Sequence, residues 1–226
     1  MLYQYGILCK TFFICYTFFM KTRDIFLNIS PLDHRYSLSE EKLFDTLSSF
    51  ISEEASVVSC AKAEAALVKA HLTLRGLLDE STERILDEAA HNIDPELVYA
   101  EEEKTKHNIR ALVNVFKKTV GENIAPFVHL GATSVDILDT ALAMRMRDCT
   151  QQAVLPVLRA LENELCAIAE RDSETAQIGR THGQHAVPIT FGFAIAEYVS
   201  RLGKSIIEID RLSRDLRGKL SGPVGA

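Results

Sequence analysis

Gly179–Gly192 reads GRTHGQHAVPITFG, and it separates two long runs of helix-type sequence. Before it, Leu155, Leu158, Leu161, Leu165 and Ile168 form a seam close to heptad spacing, with Pro156 expected to kink that helix rather than end it. After it, Phe193, Ala196, Val199, Leu202, Ile206, Ile209, Leu212 and Leu216 recur at threes and fours, in a helix that the sequence starts near Pro188. Helices of this length joined by a compact loop read as neighbours in a bundle. A plain connection needs only a few polar residues and a glycine. This one places a Thr-His pair between Gly179 and Gly183, and adds a second histidine, His185, and a proline.

Outward from this pair the pattern stays helical. From Leu38, the stretch LFDTLSSFISEEASVVSCAKAEAALVKAH carries apolar residues three and four apart. A shorter helix starts at Ser81 or Thr82, where a hydroxyl can cap free N–H groups ahead of ERILDEAAHNI. Asp94 as N-cap and Pro95 at the first helical position open a third, PELVYAEEEKTKHNIRALVNVFKKTV, which should run until Gly121 stops it. After GENIAP, Thr133 or Ser134 caps a further helix with Asp136 in its first turn. No strand-like alternating run of any length stands out. The fold class read here is all-α, with an N-terminal helical domain over 21–130 and part of a central helical bundle over 131–226. A bundle core normally needs about four helices, so the long ones call for partner helices from other subunits. The sequence closes on KLSGPVGA, a glycine-rich turn directly after a long helix, and is read as the N-terminal portion of something longer.

Composition narrows the classes. The 226 residues are 47% apolar and 25% charged, an ordinary globular balance. A formal net charge of −6 and a pI of about 5.7 supply no field that would draw the whole protein to nucleic acid, so small molecules and other subunits are the expected partners. Cys9, Cys15, Cys60, Cys149 and Cys166 are odd in number, show no CxxC spacing, and read as buried free thiols in a reducing, cytoplasmic setting. Residues 1–20, MLYQYGILCKTFFICYTFFM, differ from the rest: Lys10 interrupts the run, no basic n-region or cleavage site is present, and the span is short for a bilayer. A spurious upstream start, a membrane anchor or unusual leader, and an ordered extension are the readings open for it; the first is adopted, and no membrane partner is expected.

Three histidines lie beside hydroxyl, amide or cationic groups: His107 in KTKHNI, His129 in FVHLGATS and His182 in RTHGQHA. An unperturbed pKa near 6.5 suits histidine to proton transfer at neutral pH. His182 and His185 are three apart, but without HExxH or a carboxylate at ligand spacing no metal site is expected. In GATSVD, Thr133 and Ser134 are either an ordinary N-cap or, with Gly131 allowing close approach, a carboxylate-binding helix terminus. SPLDHRYS is either a turn into the first helix or, through Arg35 and Tyr36, a guanidinium fork and a phenol for a phosphate.

Taken in order, SPLDHRYS, TKHNI, HLGATSVDILDTA, GRTHGQHAVPITFG and KLSGPVGA resemble the adenylosuccinate lyases of the fumarase/aspartase superfamily, from about Ser30 to Ala226. Argininosuccinate lyases and fumarases usually carry THLQ in the corresponding loop; carboxymuconate cycloisomerases share the GATS and PITFG flavour and remain an alternative, as does a non-catalytic helical scaffold. The resemblance implies a homotetramer with a shared central bundle, active sites built from several subunits, no cofactor, and anti β-elimination of fumarate from adenylosuccinate and its imidazole-carboxamide relative SAICAR, leaving AMP and AICAR, in purine biosynthesis. It implies that His182 is the general acid, that His129 assists, and that His107 belongs to the same catalytic set. It further implies that Thr133 and Ser134 bind the succinyl carboxylates, that Arg35 and Tyr36 meet the nucleotide phosphate, and that Lys106, Asn108, Thr181 and Gln184 contact substrate. Two departures stand out. Asn108 replaces the family's aspartate, and the SSxMPxKxNP loop that supplies the serine base is absent from these residues, so the 226-residue chain alone is expected to be inactive.

Overall fold

The computed structural model describes residues 24–30, 33–37 and 39–225, apart from the side chains of His34 and Tyr36. The apolar stretch 1–20 lies outside the described residues. The fold is mostly helical, 71% of the described residues, as the sequence leads one to expect.

Two short helices enter the domain, α1 (Asp33–Tyr36) and α2 (Glu41–Ile51). The run expected from Leu38 onward is divided at Ser52, whose hydroxyl accepts from the Ala55 N–H and opens α3 (Glu53–Leu74). Next comes α4 (Glu80–His91), capped by Asp79 rather than by Ser81 or Thr82: the Asp79 carboxylate accepts from the Thr82 N–H at 2.7 Å. Lys69 of α3 ties the two helices together, with Nζ 2.8 Å from Asp87 and 3.2 Å from Glu83.

Asp94 and Pro95 do open the following helix, but it does not reach Gly121. It ends as α5 (Pro95–Thr105), and α6 (Asn108–Val120) begins after the two intervening residues Lys106 and His107. Lys106 takes a left-handed conformation (φ 53°) and His107 caps α6, its Nδ1 accepting from the Arg110 N–H at 3.3 Å. Neither glycine nor proline marks this break. The stop is made by a lysine in a conformation that L-residues adopt at a cost of about 1–2 kcal/mol, with a histidine doing the work usually left to Ser, Thr, Asp or Asn.

The apolar faces of α3, α4, α5 and α6 close around one core. Phe116, Leu86, Val68, Leu112 and Val113 are at or near zero exposure, and Ile137 and Ala141 of the next helix join them. That helix, α7 (Ser134–Cys149), passes through a π-helical turn (Thr150–Val154) into α8 (Leu155–Arg171), so the path stays helical from Ser134 to Arg171. Pro156 has no N–H to donate and its ring presses on the carbonyl one turn back. The widened turn just before it makes that room, which is how a mid-helix proline is tolerated here.

At the end of α8 the chain turns to strands that its residue pattern does not announce. The connection is a β-hairpin, β1 (Ala176–Thr181) and β2 (Gln184–Thr190), antiparallel with Thr181 opposite Gln184. His182 (φ 51°) and Gly183 (φ 73°) are the two turn residues, both left-handed, which is the type I′ geometry that matches the twist of a two-residue hairpin. A bulge falls between Ile178 and Arg180. Pro188 does not start a helix; it lies in β2 opposite Ile178, where a two-stranded ribbon leaves an edge free for a residue without an N–H. The last helix, α9 (Phe191–Arg214), starts from Thr190, whose hydroxyl accepts from the Phe193 N–H.

α9 packs antiparallel against α8. Gln151 Nε2 donates to Asp210 at 2.8 Å and to Ser213 at 2.6 Å across the pair. Yet Val157, Leu161, Phe193, Tyr198, Ile207 and Leu212 remain exposed. Two helices bury one seam between them and leave their other apolar stripes uncovered.

Candidate functional site

The candidate site sits where α6 and α7 begin. His107 caps one helix, and Thr133 is the N-cap of the other. Between them the chain runs through a 3-10 turn (Ala125–Phe127) and then His129, whose φ of 64° is again left-handed. His107, Ile109, Arg110, Val113, His129, Ala132, Thr133 and Ser134 line a cleft of about 300 Å³.

The start of α7 is held from two sides. The Thr133 N–H donates to Asp136 Oδ2 at 3.0 Å, one arm of a capping box. Asp136 is buried and also receives Lys219 Nζ at 2.6 Å and the N–H groups of Ser221 and Gly222 at 3.0 and 3.1 Å. The Lys219 ammonium, with these backbone donors, holds its carboxyl far below the usual aspartate range. Thr140 reinforces the tie: its hydroxyl donates to Lys219 O at 3.0 Å and accepts the Lys219 N–H at 2.9 Å. The KLSGPVG segment is thereby fastened to the helix end that carries Thr133 and Ser134.

His129 is held from below by α3. Its Nδ1 lies 2.6 Å from Glu64 Oε1, and Glu64 is fully buried. Two turns further along α3, His71 Nε2 donates to Leu130 O at 2.8 Å, and the Arg75 guanidinium, just past the helix end, lies over the Phe127 ring at 5.4 Å. Glu64 was not singled out in the sequence. It sits in an alanine-rich helix, and the signal available was a lone carboxylate on the otherwise apolar face of AKAEAALVKAH.

The structure therefore brings His107, His129, Thr133 and Ser134 to one cleft. Lys106 is exposed beside it, and Asn108 faces instead a small gap of about 50 Å³ with Glu53, Tyr99 and Glu102. Arg35 is exposed on α1 and does not line the cleft; the side chain of Tyr36 falls outside what is described. Thr181, His182 and Gln184 are exposed on the hairpin at the opposite end of the helical run. At ~1.5 Å per residue, Ser134 to Arg171 spans about 55 Å, so His182 and Thr133 of one chain cannot meet. Among the described residues no group of three or more His, Cys, Asp or Glu is placed to hold a metal ion, and no helix is long and apolar enough to cross a membrane. Cys60 and Cys149 are buried free thiols and Cys166 is half-buried; burial pushes the Cys60 thiol up to about 11.

This architecture, a helical domain feeding long bundle helices with a histidine on a projecting turn, has known counterparts. The family model described as Lyase matches residues 34–226. The chain belongs to that family, the fumarase/aspartase superfamily of lyases, and over most of its length its similarity runs to adenylosuccinate lyases. The adenylosuccinate lyase of Pyrococcus abyssi is 36% identical over 200 residues, 87% of this chain and 42% of that protein. That of Archaeoglobus fulgidus is 33% identical over 198 residues, with the same shares. Among solved structures, the beta-carboxy-cis,cis-muconate cycloisomerase of Acinetobacter calcoaceticus aligns with a TM-score of 0.68 at 28% identity, over 80% of this chain and 43% of that one. The chain thus spans less than half the length of the relatives it matches.

Proposed function

We propose that this chain supplies part of the active sites of an adenylosuccinate lyase-type enzyme, one that eliminates fumarate from adenylosuccinate and from SAICAR and leaves AMP and AICAR. The observation that carries this reading is the separation of its chemical groups. The carboxylate-ready helix end with His107 and His129 lies at one end of a helical run of about 55 Å, and the His182 hairpin at the other. Each becomes part of a working site only when copies pack side by side, and the uncovered apolar stripes of α8 and α9 supply the surface for it. A homotetramer with a shared bundle satisfies both requirements.

In such a site the N-terminus of α7, with Thr133 and Ser134, holds the succinyl carboxylates by its free N–H groups and dipole. His182, brought in by a neighbouring copy on its rigid two-residue turn, donates a proton to the departing nitrogen as the carbon–nitrogen bond breaks. The proton on the carbon next to the carboxylate is taken by a base from sequence outside residues 1–226. The 226-residue chain alone, on this reading, releases no fumarate.

Substrate choice is tested by offering the native-length protein adenylosuccinate, SAICAR, argininosuccinate and carboxymuconate in parallel. Fumarate from the first two supports the proposal. Turnover of argininosuccinate or carboxymuconate instead assigns the scaffold to another lyase, and turnover of none assigns it to a helical assembly role.

A further inference from the structure

Two histidines line the cleft, and the groups behind them differ in kind. Behind His107 is a donor: the Arg110 backbone N–H, 3.3 Å from Nδ1. An amide N–H cannot accept, so Nδ1 of His107 holds a lone pair and the ring proton is on Nε2. Behind His129 is an acceptor: Glu64 Oε1, 2.6 Å from Nδ1. An ionised carboxylate offers only lone pairs, so beside an ionised Glu64 it is Nδ1 that carries the proton.

Glu64 depends on this one contact. The side chain is at 0% exposure, and its other oxygen, Oε2, finds no partner among the described residues. The His129 N–H is thus the one donor this carboxylate is given among them. A buried carboxylate facing a bare nitrogen lone pair at such a distance would be repelled rather than held. The loop that carries the ring is held in place. His71 pins Leu130 O at 2.8 Å, Arg75 stacks on Phe127, and Asp136 fixes Thr133, so the left-handed His129 is anchored on both sides.

We infer that Glu64 is a positioning residue that holds His129 in the Nδ1–H tautomer, opposite to that of His107, so that the neutral cleft presents a hydrogen-bond donor at His107 Nε2 and an acceptor at His129 Nε2. This deepens the lyase reading and rests on it for what the ligand is: His107 suits a carboxylate or carbonyl oxygen, and His129 suits an N–H or O–H of the substrate. Glu64 itself does not touch the ligand; it acts through the imidazole.

The test does not need turnover, so it stands apart from the fate of the lyase reading. Long-range 1H–15N correlation spectra of the 15N-labelled chain, recorded above the ordinary histidine pKa of about 6.5, report which nitrogen of each ring is protonated. His129→Asn and His107→Asn identify the two signals. The expected result is a pyridine-type Nε2 for His129 and a pyrrole-type Nε2 for His107. In Glu64→Leu, which removes the acceptor at similar volume, the His129 signal moves toward the Nε2–H form while that of His107 stays. An Nε2–H form for His129 in the unsubstituted chain overturns the inference, and so does a folded Glu64→Leu with an unchanged His129 signal. Should Glu64→Leu fail to fold, the spectrum of the unsubstituted chain decides alone.

Discussion

Gly192, in the first turn of α9, is where the second long helix comes closest to the end of the first. A Cβ built there would lie 2.3 Å from the carbonyl oxygen of Ala169 and 2.8 Å from backbone carbons of Asp172 and Ser173. All three obstacles are main chain, so no rotamer change relieves them. Restoring ordinary contact moves the two backbones apart by about 1 Å, against carbon–carbon optima of roughly 3.5–4.0 Å. Gly192→Ala therefore carries an overpacking cost of about 1–3 kcal/mol. It also strains the Gly192 N–H to Asp172 O bond at 2.9 Å. The gain in helix propensity returns at most about 1 kcal/mol. A net loss of up to about 2 kcal/mol lowers Tm by up to roughly 8 °C in a chain of this size. Gly203→Ala is the internal control: its nearest obstacle, at 2.5 Å, is the carboxylate tip of Glu162, which can swing away. Thermal unfolding followed by circular dichroism should rank Gly192→Ala below the parent and Gly203→Ala at the parent or up to about 1 kcal/mol above it, since there the helix-propensity gain is unopposed. Equal Tm values for the two variants would refute the backbone-on-backbone packing described for α8 and α9.

The left-handed turn at His182 separates shape from chemistry: His182→Asn should keep the hairpin, because asparagine tolerates this region, whereas His182→Val should weaken it by about 1–2 kcal/mol, read as faster amide exchange in β1 and β2. Acid should release the KLSGPVG segment. Asp136 has a lowered folded-state pKa, so its contribution is present above the ordinary aspartate value of about 3.9 and is lost as pH falls below that toward the folded value. Protease cleavage near Lys219 should rise in that acidic window, and Asp136→Asn should show raised cleavage already at neutral pH; an unchanged pattern in the variant would contradict the tie. Phe116, fully buried in the core, should cost about 3–5 kcal/mol on truncation to alanine, measured by urea unfolding.

The helical class was legible because apolar spacing and conventional caps agree along most of the chain: Asp94–Pro95 opens α5, and Thr133 with Asp136 opens α7. The breaks that matter for chemistry were less so. At Lys106–His107 the chain stops and restarts without a glycine, because a lysine accepts the left-handed conformation and a histidine side chain supplies the cap. At Thr181–Gln184 the strands hide because both are almost wholly exposed, so no alternation of apolar and polar residues writes their register; only the His-Gly dipeptide at two-residue turn length hints at it. Glu64 was invisible for a third reason. Its partner is 65 positions away, and only the folded chain shows that the carboxylate in an alanine-rich helix meets a histidine. In each case local propensity was overridden where a histidine is put to use.

The role proposed for His182, far from the cleft in its own chain, is proton chemistry in a site completed by other copies. Its most direct test is fumarate release from adenylosuccinate by the native-length protein, compared with His182→Gln at matched oligomeric state and Tm. The expected result is AMP and fumarate in equal amounts from the unsubstituted protein and a loss of roughly 10²–10⁴-fold in kcat for the variant, the usual contribution of a positioned general acid. Unchanged turnover in a folded, assembled His182→Gln protein would contradict it.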